Sequence, residues 1–339
     1  MNKTTSSFLA GLLIGALIAT GGFTIFLKSQ KSGGTVTTQQ TVLKFGHGLD
    51  TAHPVHLAAL YMKERLELIS GGDITIDIYP GAVLGSEVQS VEQLQNGSLA
   101  MTCQSMAALE NFIPSLATFS LPYVFRDGEH YWEVLNGEIG RNIMEKGEAK
   151  FLRGLCFYDA GSRNFYTKET PVRTPDDLKG LKIRVMNSAT AIDMVKALGG
   201  SPTPINWGEL YSALAQGTVD GAENNPPSFA SNRHFEVCKH FTLDGHTRIP
   251  DMLLMSSKVW EKLSPQAQAW VLQAAQESSD YQRDLWKKKS DLALQQAESE
   301  GVTIYEVDTA LFQAKVQPMF EAVESAEVRE LLKAIAAVK

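Results

Sequence analysis

Residues 42–81 read VLKFGHGLDTAHPVHLAALYMKERLELISGGDITIDIYPG. Val42 to Gly46 has the composition of a short strand. Pro54 to Ser70 carries apolar residues at Val55, Leu57, Ala59, Leu60, Met62, Leu66 and Ile69, which is helical spacing, and Gly71 and Gly72 stop it. Ile74, Ile76 and Ile78 then alternate with Asp73, Thr75 and Asp77 before Pro80 and Gly81 turn the chain, the signature of a second strand. The chain therefore opens with a βαβ unit.

The alternation continues outward from there. Val88 to Leu94 reads as a short helix behind Ser86, Leu99 to Cys103 as a strand, and Glu129 to Met144 as a helix, with an apolar, Pro-punctuated connection at Phe112 to Phe125. Phe151 to Tyr158 is a strand that runs into Asp159, Ala160 and Gly161, a crossing from one lobe to the next. Leu181 to Val185 reads as a strand and Ala191 to Leu198 as a helix closed by Gly199 and Gly200. Trp207, Leu210, Tyr211 and Leu214 mark a helix face, and Thr218 to Ala222 reads as a strand. No tandem repeat appears, so the fold class is α/β with mainly parallel sheets. Ser264 caps a helix with Pro265 in its first turn, and Ala267, Val271, Ala274, Leu285, Ala293 and Ala297 carry its period towards Gly301. Such a helix is about 54 Å long at about 1.5 Å per residue, longer than a small domain is wide, and is expected to span both lobes.

Of 339 residues, 44% are hydrophobic and 20% charged, enough for two domains with proper cores and unlike a disordered chain. Net charge is -7, and residues 1–31 hold three lysines and no acid, leaving 28 basic against 38 acidic residues, or -10, for the rest. That argues against a nucleic-acid partner, which needs a basic face. Lys3 followed by the uncharged run Phe8 to Leu27 reads as an export signal or, uncleaved, a membrane anchor. Either way the body works outside the cytoplasmic membrane, in the periplasm. Cys103, Cys156 and Cys238 are widely spaced in apolar or mixed segments, so they form at most one bridge and read as small buried residues.

In open α/β sheets ligands sit beyond the carboxyl ends of strands. Arg163, Arg184, Asn187, Asn224 and Asn225 all lie at or after strand ends, and His47 and Glu87 follow the first two strands. Paired guanidiniums suit a carboxylate because each offers two parallel N–H donors and keeps its charge when desolvated; the amides suit hydroxyls. Taken singly, Arg184 could face solvent from its strand, Arg163 could be a turn residue, Asn224 and Asn225 could be turn formers before Pro226 and Pro227, and Trp207 could be core. His53 and His56, near His47 and Asp50, match no metal-ligand spacing, and no metal or cofactor is expected. No nucleophile elbow, phosphate loop or dinucleotide fingerprint occurs, and Glu87, Asp159, Asp220 and Glu223 are indistinguishable from caps, so an enzyme is the lesser reading.

An ordered set of segments resembles the DctP-type solute-binding proteins of tripartite ATP-independent periplasmic (TRAP) transporters: Leu84 to Glu87, Leu121 to Tyr123, Gly161 to Arg163, Leu178 to Val185, Gly199 to Pro204 and Gly217 to Asn224. The resemblance covers roughly residues 42 to 325. It implies a two-lobed periplasmic-binding-protein fold that closes like a flytrap over its ligand, with the long helix across both lobes. The expected boundaries are a signal or anchor at 1–31, a linker at 32–41, a first lobe of 42–160 plus about 246–285, and a second of 161–245 plus about 286–339. The resemblance further implies Arg184 as the main carboxylate clamp with Arg163 beside it, and Asn224 and Asn187 as second-lobe contacts. Trp207 would line the cleft and Glu87 would reach ligand hydroxyls; Asn225 and His47 complete the candidates. The implied partners are the small and large membrane subunits of a TRAP permease.

Arg163 to Tyr166 together with Ala222 to Pro226 is similar to members that take hexuronates such as glucuronate or galacturonate. A C4-dicarboxylate or a 2-oxo acid is the alternative ligand, and a ligand-sensing module the alternative role.

Overall fold

The computed structural model describes residues 40–339; the expectations of a signal or anchor at 1–31 and of most of the linker lie outside the described residues. Two sheets organise the body. The first has the order β2-β1-β3-β10-β4, built from β1 (Thr41–Gly46), β2 (Ile74–Tyr79), β3 (Met101–Ser105), β4 (Leu152–Tyr158) and β10 (Asp251–Ser256). The second has the order β11-β9-β5-β8-β6-β7, from β5 (Asn164–Thr167), β6 (Lys182–Val185), β7 (Ser201–Pro204), β8 (Gly221–Asn224), β9 (His240–Leu243) and β11 (Thr303–Glu306). β1 runs parallel to β2 and β3, whereas β10 is antiparallel to both β3 and β4. In the second sheet β5 is antiparallel to β8 and β9, while the remaining pairs are parallel. Each sheet thus contains one reversed strand.

The reversed strands mark where the chain crosses between lobes. β4 leads through Asp159–Ser162 into β5, and β9 returns through Asp244–Pro250 into β10. These crossovers lie side by side, joined by an antiparallel bridge in which the Arg163 N–H donates to the Thr247 carbonyl at 2.8 Å. Each sheet is covered on both faces. On the first sheet, Val55, Ala58, Ala59, Met62 and Leu66 of the helix Pro54–Ile69 pack with Leu43, Phe45, Ile76 and Val271. The other face gathers Val91, Leu94, Phe119, Tyr131 and Leu152. The second sheet carries one core around Tyr166, Leu214, Phe229 and Phe241 and another around Phe165, Ile183, Val185 and Val195.

The long helix runs from Pro265 to Ser299, capped by the Ser264 side chain. Its Val271 and Ala274 belong to the first lobe's core and its Ala297 to the second's, so it spans both lobes. Midway, Gln282 is fully buried and clasps the first crossover: its Oε1 accepts the Asp159 N–H and its Nε2 donates to the Asp159 carbonyl, both at 2.8 Å.

Several expectations shift. Glu129 to Met144 is two helices, Gly128–Asn136 and Glu138–Glu145, broken at Gly137. The strand expected at Thr218 to Ala222 is Gly221–Asn224, so Asn224 closes it and Asn225 caps the next helix, Pro226–Ser231. Residues 286–339 do not all join the second lobe: the last helix, Ala326–Ala337, returns to the first, where Ile335 packs in the cluster of Phe119 and Leu116.

Gly161, at the first crossover, has φ +57°, and a Cβ there would lie 2.6 Å from the Trp286 Nε1 of the spanning helix. Gly180 has φ +86° with nothing within 4 Å. Gly180→Ala is therefore expected to cost about 1 kcal/mol, the left-handed backbone penalty alone. Gly161→Ala should cost that plus displacement of a buried indole, roughly 2–4 kcal/mol. Chemical denaturation of the two variants checks the difference.

Candidate functional site

The reversed strands bring two kinds of strand end to one rim. Because β5 and β10 run against their neighbours, their first residues lie level with the carboxyl ends of the other strands. A cavity between the lobes collects both: Leu49 after β1, Glu87 after β2, Gln104 and Ser105 at the end of β3, Arg184 and Met186 at β6, Trp207 after β7, Asn224 and Asn225 at β8, with Arg163 before β5 and Asp251 at the start of β10. The halves touch around it. His53 Nδ1 accepts the Val55 N–H, so the ring proton sits on Nε2 and is donated to Ser228 Oγ of the second lobe at 3.2 Å. Asn111 donates to the Asn187 carbonyl at 2.7 Å, and the Thr190 N–H donates to Glu110 at 3.1 Å.

The two arginines differ sharply in their partners. Arg163 has four of its five N–H donors engaged: Nε and Nη2 grip the Glu223 carboxylate at 2.5 and 2.8 Å, Nη2 also reaches the Glu223 carbonyl, and Nη1 donates to Asn224 Oδ1 at 2.9 Å. Burial would raise the Glu223 carboxyl, but Arg163, then His246, hold it near 2. Burial likewise opposes the charge on His246, which Asp244 at 2.7 Å and Glu223 at 3.3 Å raise to about 9. Arg163, Glu223, His246 and Asp244 therefore form a buried chain of alternating charge that sums to zero.

Arg184 has no such partner. It is 1% exposed, its Nε donates to the Ile205 carbonyl at 2.8 Å, its guanidinium lies 5.6 Å from the Trp207 ring centroid, and its Nη1 is buried without a hydrogen bond. Burial lowers its pKa, against the opposing fields of Tyr166, Glu223 and Glu87. The Trp207 Nε1 beside it is a second buried donor without a partner. Each orphan donor costs about 1–3 kcal/mol if nothing meets it, more for the charged one. Among the described residues the Asn224 amide Nδ2 also meets no hydrogen-bond partner, its Oδ1 being used by Arg163 and the Asn225 N–H.

The opposite wall carries acid. Burial raises the Glu87 carboxyl, with Arg184 and Arg163 pulling the other way. Asp251 rises to about 7 through burial first and the neighbouring Glu87 second.

Two candidates do not reach the cavity. His47 Nδ1 accepts the Leu49 N–H and its Nε2 meets His56 Nδ1 at 3.1 Å, so it shapes the loop beneath the site. Asn187 spends its side chain on Asn206 and its carbonyl on Asn111 at the lobe seam. Asn225 lines the cavity while its Oδ1 caps the helix after it through the Ser228 N–H. His53, Gln104, Ser105, Ser228 and Asp251 line it without having been singled out as ligand contacts. A wider groove on the hinge side, lined by Trp132, Asp159, Arg248 and Arg283, holds none of the candidates; its Arg248 is met by Asp159 and its Arg283 lies over Trp132. Cys103, Cys156 and Cys238 are buried and free.

Residues 45–326 match the family model of the bacterial extracellular solute-binding proteins, family 7, called DctP. The chain belongs to the DctP family. Among solved structures, a TRAP periplasmic solute-binding protein of Pseudomonas putida F1 with bound D-glucuronate is 38% identical, with 88% of this chain and 97% of that one covered and a TM-score of 0.83. One from Bradyrhizobium sp. BTAi1 in complex with D-galacturonate is 38% identical over 86% and 98% of the chains, TM-score 0.84. The C4-dicarboxylate-binding periplasmic protein DctP of Rhodobacter capsulatus is 30% identical over 96% and 97%. This DctP-family chain thus shares its fold with binding components of transporters, and no enzyme is among these relatives.

The buried charge chain gives this family member a pH signature. The folded pKa of His246 is raised, so its contribution to stability is complete below about pH 6.5 and is lost as pH rises through about 9. Thermal unfolding from pH 6 to 10 should show the melting temperature falling across that window. His246→Gln should lower it at pH 6 and flatten the dependence.

Proposed function

We propose that this protein captures a hexuronate such as D-glucuronate or D-galacturonate outside the cytoplasmic membrane and delivers it to a TRAP permease through that permease's small and large membrane subunits. The observation that carries the reading is the Arg184 guanidinium, with no carboxylate bound to it and its Nη1 without a partner, beside the unpaired Trp207 N–H and facing two carboxyls across one cavity. A ligand carboxylate at Arg184 would supply the missing charge and acceptor. Glu87 and Asp251 opposite call for hydrogen-bond donors, which hydroxyls provide, and they repel a second carboxylate. The uronates bound by the Pseudomonas and Bradyrhizobium relatives have that chemistry, one carboxylate and many hydroxyls.

In this reading Arg184 is the clamp. Arg163 acts as companion chiefly by orienting Asn224 and offering its one remaining Nη1 proton, because Glu223 already balances its charge. Trp207 and Asn224 add donors, Asn225 holds its helix end against the cavity, and Glu87 accepts from hydroxyls. Asn187 and His47 act indirectly, on the lobe seam and on the first cleft loop. The ligand enters an open form and closure follows by lobe rotation about the two crossovers and the spanning helix, its contacts favouring the closed population. The chain is then a carrier, with nothing to turn over.

Isothermal titration against a panel decides. D-Glucuronate or D-galacturonate is expected to bind at least 100-fold more tightly than succinate or a 2-oxo acid. D-Glucose and D-galactose, lacking the C6 carboxylate, should lose about 3 kcal/mol or more. Tight binding of succinate with no uronate binding would replace the hexuronate by a C4-dicarboxylate.

A further inference from the structure

Asp251 is the one cavity carboxyl that neither strand-end reasoning nor family motifs singled out. It opens β10, the reversed strand, in register with Ser105 of β3 on one side and Tyr158 of β4 on the other, directly after the return crossover. The Met106 N–H donates to the Pro250 carbonyl at 3.0 Å and fixes the approach. Held between two strands, the Asp251 backbone cannot swing its side chain away from the cavity. Among the described residues the carboxyl itself meets no hydrogen-bond partner, in contrast to Glu223, Asp244 and Asp159, which are all engaged. It lines the cavity together with Glu87. The charged groups that act on it are Glu87 from the helix Glu87–Asn96, Asp159 from the first crossover and Arg163. His53, near 3, and Cys103, well above its ordinary value, stay neutral beside it.

We infer that Asp251 is a specificity-determining residue: its carboxylate accepts a hydroxyl of the ligand at the end remote from Arg184 and rejects any ligand with a second carboxylate there. This rests on the sugar-acid reading for the hydroxyl, while the rejection rests only on the placement of charge. A dicarboxylate anchored on Arg184 brings its far end to the wall where Glu87 and Asp251 already sit. Like charges in a desolvated cavity cost far more than in water. A hydroxyl in the same place finds acceptors instead. Selectivity then comes as much from the repulsive element as from the attractive one.

The test titrates wild type, Asp251→Asn and Asp251→Ser with D-glucuronate, succinate and galactarate, the last being a hexose-derived skeleton with carboxylates at both ends. Asn keeps shape and removes charge; Ser serves where Asn alters folding, as judged by thermal unfolding. The expected result is a fall of about tenfold or more in glucuronate affinity and a rise of about tenfold or more for galactarate or succinate, so that the selectivity ratio shrinks at least 100-fold. In wild type the dicarboxylates should bind more tightly as pH falls from 8 to 6, a slope that is smaller in Asp251→Asn. A selectivity ratio unchanged within threefold in both variants would overturn the role. If wild type binds no uronate, the sugar-acid reading fails separately, and Asp251 is judged on the dicarboxylate gain alone, where no gain overturns it.

Discussion

A guanidinium sealed between two lobes with a free N–H and no carboxylate to meet it is the constraint around which this molecule is arranged. Arg184 sits at the end of a strand whose neighbours Ile183 and Val185 are core, so its backbone is fixed and its charge cannot retreat to solvent. Such a group costs the fold stability, and a ligand acceptor that met it would offset that cost. The other buried charges show the contrast. Arg163, Glu223, His246 and Asp244 neutralise one another in a line, and that line sets the seat of the β5–β8 edge against the return crossover.

From this follows the mechanical logic. The two crossovers are bridged by Arg163 and Thr247, and the spanning helix clasps the first of them through Gln282. In the proposed reading, lobe movement pivots where the site begins, and a ligand held by Arg184 on one lobe and by carboxyls on the other would couple directly to closure. The seam carries polar contacts, His53 to Ser228, Asn111 to Asn187 and Glu110 to the Thr190 N–H, beside an apolar one, Met186 of the second lobe packing in the first lobe's cluster of Leu116 and Phe119.

Much of this was legible in the sequence. Helical spacing over Pro54 to Ile69 and alternation over Ile74 to Ile78 identified the first βαβ unit, and Ser264-Pro265 with a long period identified the spanning helix. β10 was not legible by alternation, because Asp251–Ser256 lies between two strands and is buried along nearly its whole length, giving an apolar run without a period. β8 was misplaced because Glu223 and Asn224 are poor strand formers, here retained by Arg163. Arg184, which lines the cavity, is reached by the strand-end rule. Asp251 is not, because the rule inspects where strands end, and a reversed strand delivers its first residue to the same rim. His47 and Asn187 stand near the right loops in sequence, but their side chains are turned into hydrogen bonds of their own.

The most direct measurement is thermal unfolding of wild type and Arg184→Met, each with and without saturating D-glucuronate. If the unpaired charge is kept for the ligand, Arg184→Met without ligand melts at or above the wild-type temperature, since an uncompensated buried cation is gone, and glucuronate no longer raises its melting temperature. A variant that melts well below wild type yet is still stabilised by glucuronate to the same extent would contradict the account.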